Sequence, residues 1–109
     1  MSEAVAGFNW DAGNRKKCQK HGVTLEEIET AFGGPMRVFP DPGHSTVEIR
    51  HVAVGKAAAG RHILIAFTYR IIEEQRFIRP ISARFMHSKE ITHYEAQIQS
   101  SREATSSKD

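Results

Sequence analysis

With 109 residues and a mass of 12.2 kDa, the chain has the length of one domain; folding at this size hides roughly two-thirds of the unfolded surface, enough for a core without disulfides, and leaves no room for a full dinucleotide-binding sheet. Fifteen basic residues against thirteen acidic ones give +2 with the six histidines neutral, a balance that marks no partner by itself and makes the placement of the charges the question. The single cysteine, Cys18, excludes an internal disulfide and a cysteine zinc site, and the lack of an 18-residue apolar run or a leader pattern makes a cytoplasmic chain with no membrane role the expectation.

Phe8 and Trp10 alternate across Asn9, a short strand or extended entry. Asp11 follows as an N-cap, and a helix is expected over about Ala12 to His21, with Gly22 as its left-handed end. Its basic residues, Arg15, Lys16, Lys17 and Lys20, lie mostly in the C-terminal half, where the helix dipole favours them. The second helix has the clearest start in the chain. Thr24 and Glu27 have the spacing of a capping box, and Val23 and Ile28 that of a hydrophobic staple. Leu25, Ile28, Ala31 and Phe32 then recur at helical spacing, and Gly33-Gly34-Pro35 ends the run.

Strand-like runs come next. Met36 to Phe39 stops at Pro40-Asp41-Pro42-Gly43, a loop by composition. Val47 to Val54 is β-branched, and Gly55 to Gly60 reads as a turn. Arg61 to Arg70 places Ile63, Ile65, Phe67 and Tyr69 on one face, and Glu73-Glu74 forms a polar hairpin tip. Arg76 to Arg84 is the last strand. Its alternation groups Arg79 with Phe77, Ile81 and Ala83, while Pro80, lacking an amide donor, marks an edge or a bulge. Ser88 caps a final helix with Ile91, Tyr94 and Ile98 on its inner face. The fold class is α+β: two N-terminal helices, an antiparallel sheet of about four strands, and a C-terminal helix. The helices are expected to cover one sheet face and leave the other partly open. Residues 1–99 form a single domain and 100–109 a flexible tail with nothing larger than alanine to bury.

No histidine pair has i,i+4 spacing, and His51 and His62, which can meet across a hairpin, lack an obvious third ligand. No metal or other cofactor is expected. There is no nucleophile elbow and no Gly-rich phosphate loop. What remains is arginine on strands. From Arg61 to Arg84 there are five arginines and no lysine against two glutamates, and arginine suits planar, bidentate phosphate contact. An arginine such as Arg79 among apolar neighbours needs an anion: either a carboxylate of the chain, Glu48 or Glu90, or a phosphate.

Phe8-Asn9-Trp10-Asp11, Lys20-His21-Gly22-Val23, Glu26-Glu27, Glu48-x-Arg50, Gly55, Thr68-x-Arg70 and Ile81-Ser82-Ala83-Arg84 with Glu90 and Tyr94 together resemble the BrnT family, the toxins of a class of type II toxin–antitoxin pairs, over about residues 8–98. Phe85, Tyr69 and Pro80 depart from the family pattern. The resemblance implies a RelE-like fold, metal-independent endoribonuclease cleavage of mRNA that arrests translation, a BrnA-type antitoxin as partner, and operator DNA reached only indirectly through that antitoxin. It implies an active surface including Lys20, Arg70, Arg79 and Arg84, with Glu48 and Trp10 also matched. Attack by the RNA 2′-hydroxyl on the adjacent phosphate asks the protein to align the atoms and stabilise charge on phosphate oxygens. Arginines serve the second task and are poor proton carriers, so the base and acid are sought among His21, Glu48, Lys20 and Tyr94. Trp10 and Arg50 are candidate RNA contacts. Two other classes stay open on these residues: a weakly active or inactive co-repressor subunit, and an RNA-binding domain that does not cut.

Overall fold

The computed structural model describes residues 5–44 and 48–106. In chain order the elements are β1 (Gly7–Phe8), α1 (Ala12–Gln19), α2 (Leu25–Gly33), β2 (Arg37–Pro40), β3 (His51–Lys56), β4 (His62–Ile72), β5 (Gln75–Phe85) and α3 (Ser88–Ser106). The fold is α+β, as expected, with one strand more than the sequence suggests.

Both N-terminal helices begin with reciprocal caps. At α2, the Thr24 hydroxyl accepts the Glu27 amide at 3.0 Å and the Glu27 carboxylate accepts the Thr24 amide at 2.8 Å. Val23 and Ile28, the staple pair, are both fully buried. Since the cap satisfies two helix-end amides that would otherwise lack partners, Thr24→Ala is expected to cost about 1 kcal/mol; a thermal melt superimposable on the wild type would show that the cap contributes nothing. At α1, Asp11 caps and Asn14 completes the box. Gly22 closes the turn after α1 at φ +89°, a backbone conformation that side chains disfavour.

The sheet order is β1-β5-β4-β3-β2. β2 to β5 form an antiparallel meander. The fifth strand, β1, has two residues, too few for periodicity to reveal, and runs parallel to β5 through Gly7↔Phe77 and Phe8↔Ile78. The β4–β5 hairpin turns at Glu73 and Glu74, both left-handed at φ 52° and 67°, which matches the twist of the strands it joins.

One face of the sheet carries the core. Ala53 of β3, Ile63, Ile65 and Phe67 of β4, and Ile78 and Ala83 of β5 pack against Cys18, Val23, Ile28 and Ala31 from the helical side. Arg79 and Ala83, which simple alternation puts on one face, lie on opposite faces. Ala66 pairs with Ser82 while Phe67 pairs with Pro80, so Ile81 is an extra residue. This bulge, beside the proline that cannot donate to the ladder, reverses the alternation. Ile78 and Pro80 before it and Ala83 after it all point into the core, while Phe77 and Arg79 before it and Ser82 and Arg84 after it share the opposite face.

That opposite face is where α3 sits, so the three helices do not share one side. Tyr94 stands edge-on to Phe39 and His62, and Glu90 grips Arg84. Tyr94 and Ile98 line one groove together with Val54 and His62, an apolar contact available only on this side. Helix α3 continues to Ser106, into the segment that sequence composition assigns to a tail; residues 107–109 of that tail, and Val47 of the expected third strand, lie outside the described residues.

Candidate active site

β4 and β5 bring Thr68 opposite Arg79 and Arg70 opposite Phe77, so Arg70 and Arg79 are diagonal neighbours on the face away from the core. Such neighbours lie roughly 7–8 Å apart between their Cα atoms. The chain before β3 crosses this face: the buried Thr68 hydroxyl donates to the Ile49 carbonyl at 2.7 Å. That bond places the preceding residue, Glu48, over Arg70, whose Nε and Nη2 donate to the two carboxylate oxygens at 2.7 and 3.1 Å.

Arg79 is held from the other side. Its Nη1 donates to Asn9 Oδ1 at 2.9 Å and its Nη2 to Asp11 Oδ2 at 2.8 Å. Neither Glu48 nor Glu90, the carboxylates considered from sequence, is its partner. Asp11 does two things at once. Its Oδ1 accepts the Asn14 amide at 2.9 Å, starting α1, while its Oδ2 takes the guanidinium. Asn14, 5% exposed, fixes this corner. Its Oδ1 accepts the Asp11 amide at 2.7 Å, and its Nδ2 donates to the carbonyls of Asn9 at 3.0 Å and Pro80 at 2.8 Å. Along that edge of β5 the carbonyls of Arg76 and Ile78 accept the backbone amides of Ala6 and Asn9. The side-chain amide of Asn14 takes the next carbonyl, where β1 has already ended. The sequence names Asn9 and Asp11 within the first family motif, and Asp11 also as a cap, but gives neither them nor Asn14 a place in the site. The residue at the third helical position, able to close a capping box, was the available signal.

Arg84, Lys20, His21 and Trp10 are placed elsewhere. Arg84 pairs with Leu64, six positions from Arg70 on β4, roughly 20 Å away along the strand. It forms a two-pronged pair with Glu90, both contacts 2.7 Å. Lys20 and His21 are exposed at the end of α1, about 13 Å along the helix axis from Asp11. Trp10 turns to the helical side, stacks on Phe8 and donates its indole N–H to Glu29 at 2.8 Å. Arg50 stands between Ile49 and β3, its carbonyl accepting the Asp41 amide. The structure therefore groups Arg70, Arg79 and Glu48, adds Asp11 and Asn9, and separates Arg84, Lys20, His21 and Trp10 from them.

Each arginine of the sequence-dense window meets a partner. Arg61 lies over the Phe85 ring and Arg76 over the Tyr69 ring, at 3.5 and 3.7 Å from the centroids. Glu48, Asp11 and Glu90 take the other three. The Arg70 bonds hold the Glu48 carboxyl below its ordinary range. The Asn14 amide and then Arg79 do the same for Asp11. Arg84, helped by the His87 amide, brings Glu90 down to about 2. All three carboxylates are therefore ionised acceptors at neutral pH. Burial pushes the Cys18 thiol up to about 11, which removes it as a nucleophile.

Beside Arg79 lies a shallow depression of about 540 Å³, bordered by Asp11, Asn14, Lys17, Pro80 and the bulge residue Ile81. The larger space of about 760 Å³ beneath α3 is remote from Arg70 and Arg79. Among the described residues no group of three His, Cys, Asp or Glu side chains is placed to hold a metal ion, and no helix is long and apolar enough to cross a membrane.

A comparison with curated proteins finds no match. A family model does match, over residues 10–90, with the description of a ribonuclease toxin, BrnT, of type II toxin–antitoxin systems. The matched span runs from Trp10 to Glu90 and so includes Asp11, Asn14, Glu48, Arg70, Arg79 and Arg84. With about three-quarters of its length inside that match, the chain belongs to the BrnT family of ribonuclease toxins.

Proposed function

We propose that the chain cuts single-stranded mRNA on the face that carries Arg70 and Arg79, by a transesterification that needs no metal. The RNA 2′-oxygen attacks the adjacent phosphorus, the 5′-oxygen of the next nucleotide leaves, and a 2′,3′-cyclic phosphate forms. The observation that carries this reading is the pair of guanidinium forks on adjacent strands: Arg70 holds both oxygens of the Glu48 carboxylate as it would two phosphate oxygens, and Arg79 spans one oxygen of Asp11 and one of Asn9. The side chains of Arg70 and Glu48 are 42% and 40% exposed, so the pair is worth at most about 1 kcal/mol, and a phosphate can replace the carboxylate cheaply. The exchange also changes Glu48. Its carboxyl is held low by Arg70; once a phosphate takes that fork, the carboxylate loses the partner that suppresses its basicity and becomes a better acceptor for the 2′-hydroxyl proton. Arg70 and Arg79 then face the charge that grows on the phosphate oxygens.

As a type II toxin the protein has an antitoxin partner and an RNA substrate. We infer that the antitoxin is BrnA-type, that it covers the Arg70–Arg79 face in the cytoplasm with acidic or apolar groups, and that operator DNA is met only through it. Glu48 and Asp11 support the acidic option, since each already occupies a fork in this way. The test uses the purified chain, a defined single-stranded RNA and excess chelator. Cleavage leaving cyclic phosphate ends, abolished by a 2′-deoxy substitution at the junction and suppressed by the antitoxin, is the expected result. A folded chain that cuts only with a divalent metal, or cuts the 2′-deoxy substrate, would overturn the mechanism.

A further inference from the structure

The carboxylates that hold the arginines also cancel their charge. Arg70 is balanced by Glu48 and Arg79 by Asp11, so this pair of forks offers an approaching phosphate good geometry and little net attraction. One cation bordering the site is different. Lys17 lines the depression beside Arg79, and no carboxylate among the described residues pairs with it. Its position follows from helical spacing. Asn14 and Cys18 form the buried stripe of α1, and Lys17, three residues after Asn14, flanks that stripe on the sheet side. Lys16, roughly 100° further round, projects to solvent. The opposite wall is Pro80 and Ile81, and Ile81 is there because the bulge re-aims it. The depression thus has an ammonium on one side, an apolar wall on the other and the Arg79 fork at its edge, a shape that accepts a phosphate with its ribose.

We propose that Lys17 is the residue that draws the RNA chain to the site, by holding in this depression the phosphate next to the one at Arg70 and Arg79. The assignment rests on the ribonuclease reading of that face. It gives the two kinds of cation separate tasks: Lys17, a mobile point charge, captures the backbone in the ground state, and the arginines, pre-set forks, act on the reacting phosphate.

The test measures binding of a defined RNA made uncleavable by a 2′-deoxy substitution at the junction, across salt concentrations, with cleavage of the all-ribose RNA in parallel. One lost contact on a single strand removes about 0.7 from the slope of log affinity against log salt, which is about fivefold in affinity between 1 M and 0.1 M salt. Lys17→Gln is expected to show both changes, Lys17→Arg to restore most of the affinity, and Lys16→Gln, which alters net charge equally, to show neither. If the wild type binds and cuts while Lys17→Gln matches Lys16→Gln, the assignment of Lys17 is wrong and the ribonuclease reading stands. Weaker binding with an unchanged salt slope would mean that Lys17 acts only through the shape of α1, and also overturns the proposal. A wild type that neither binds nor cuts removes the ribonuclease reading and the Lys17 assignment with it.

Discussion

Replacing Arg79 by alanine is expected to lower the cleavage rate by roughly 10²–10³, the scale for losing one preorganised donor to a charge that develops in the transition state. Affinity for uncleavable RNA should fall far less, because a single phosphate contact is all that is lost in the ground state. Arg79→Lys is the sharper variant. It retains the charge and loses the planar fork that now spans Asn9 and Asp11, so its rate should lie near that of alanine. The fold should survive both changes: Asp11 keeps its cap on the Asn14 amide, and the pair, with side chains 19% and 53% exposed, contributes about 1.5–3 kcal/mol, below the roughly 5–15 kcal/mol of a typical domain. Single-turnover cleavage of one defined RNA by three folded proteins decides the matter. Equal rates would leave Arg79 as an ion-pair residue that ties β5 to α1.

The largest loss of stability outside the hydrophobic core is expected at Asn14. Asn14→Ala removes half of a capping box and strips the Pro80 and Asn9 carbonyls of a donor at a position almost closed to water. A buried polar group left without a partner costs about 1–3 kcal/mol, and losing a cap adds about 1 kcal/mol. A total of about 2–4 kcal/mol is therefore expected, on the order of 10–20 °C in melting temperature for a domain of this size. Asn14→Asp should be no better, since it keeps the acceptor, loses both donors and sets a carboxylate against a carbonyl. Cleavage should fall even in the cold, where the variant is folded, because Asn14 fixes the two residues that aim Arg79. Denaturant midpoints measure the stability, and a change below about 0.5 kcal/mol would mean that water replaces the amide at little cost.

What sequence shows of this protein is what is local. Thr24 and Glu27, three residues apart, announce the start of α2, and the structure has both of their bonds. Alternation through Arg70 and Arg79 puts them on adjacent strands, and they are diagonal neighbours. Pro80 signals a bulge, but which residue is extra depends on how β5 registers against β4, and this decided the side taken by Ala83. The carboxylates of Asp11 and Glu48 come from 68 and 22 positions away from their arginines, and only Glu90 is near its own, six positions from Arg84. For this reason the window of five arginines against two glutamates does not reveal that three of them fold against carboxylates from outside it. Lys20 and His21 entered through family resemblance, not spacing, and the helical rise carries them away from Arg79. The face chosen by α3 turns on Glu90 meeting Arg84 and Tyr94 meeting Phe39, contacts that no helical periodicity contains.

The edge of β5 has a consequence for solubility. A strand of eleven residues flanked on one side by only two residues of β1 would ordinarily present a row of open hydrogen-bonding groups, the template on which sheets of separate molecules join and precipitate. Here the Arg76, Ile78 and Pro80 carbonyls are already taken, Pro80 has no amide to offer, and the next residue is out of register. An incoming strand finds neither a continuous ladder nor a flat path along this stretch. The asparagine and the proline that shape the corner around Arg79 thus also guard this stretch against edge-to-edge aggregation.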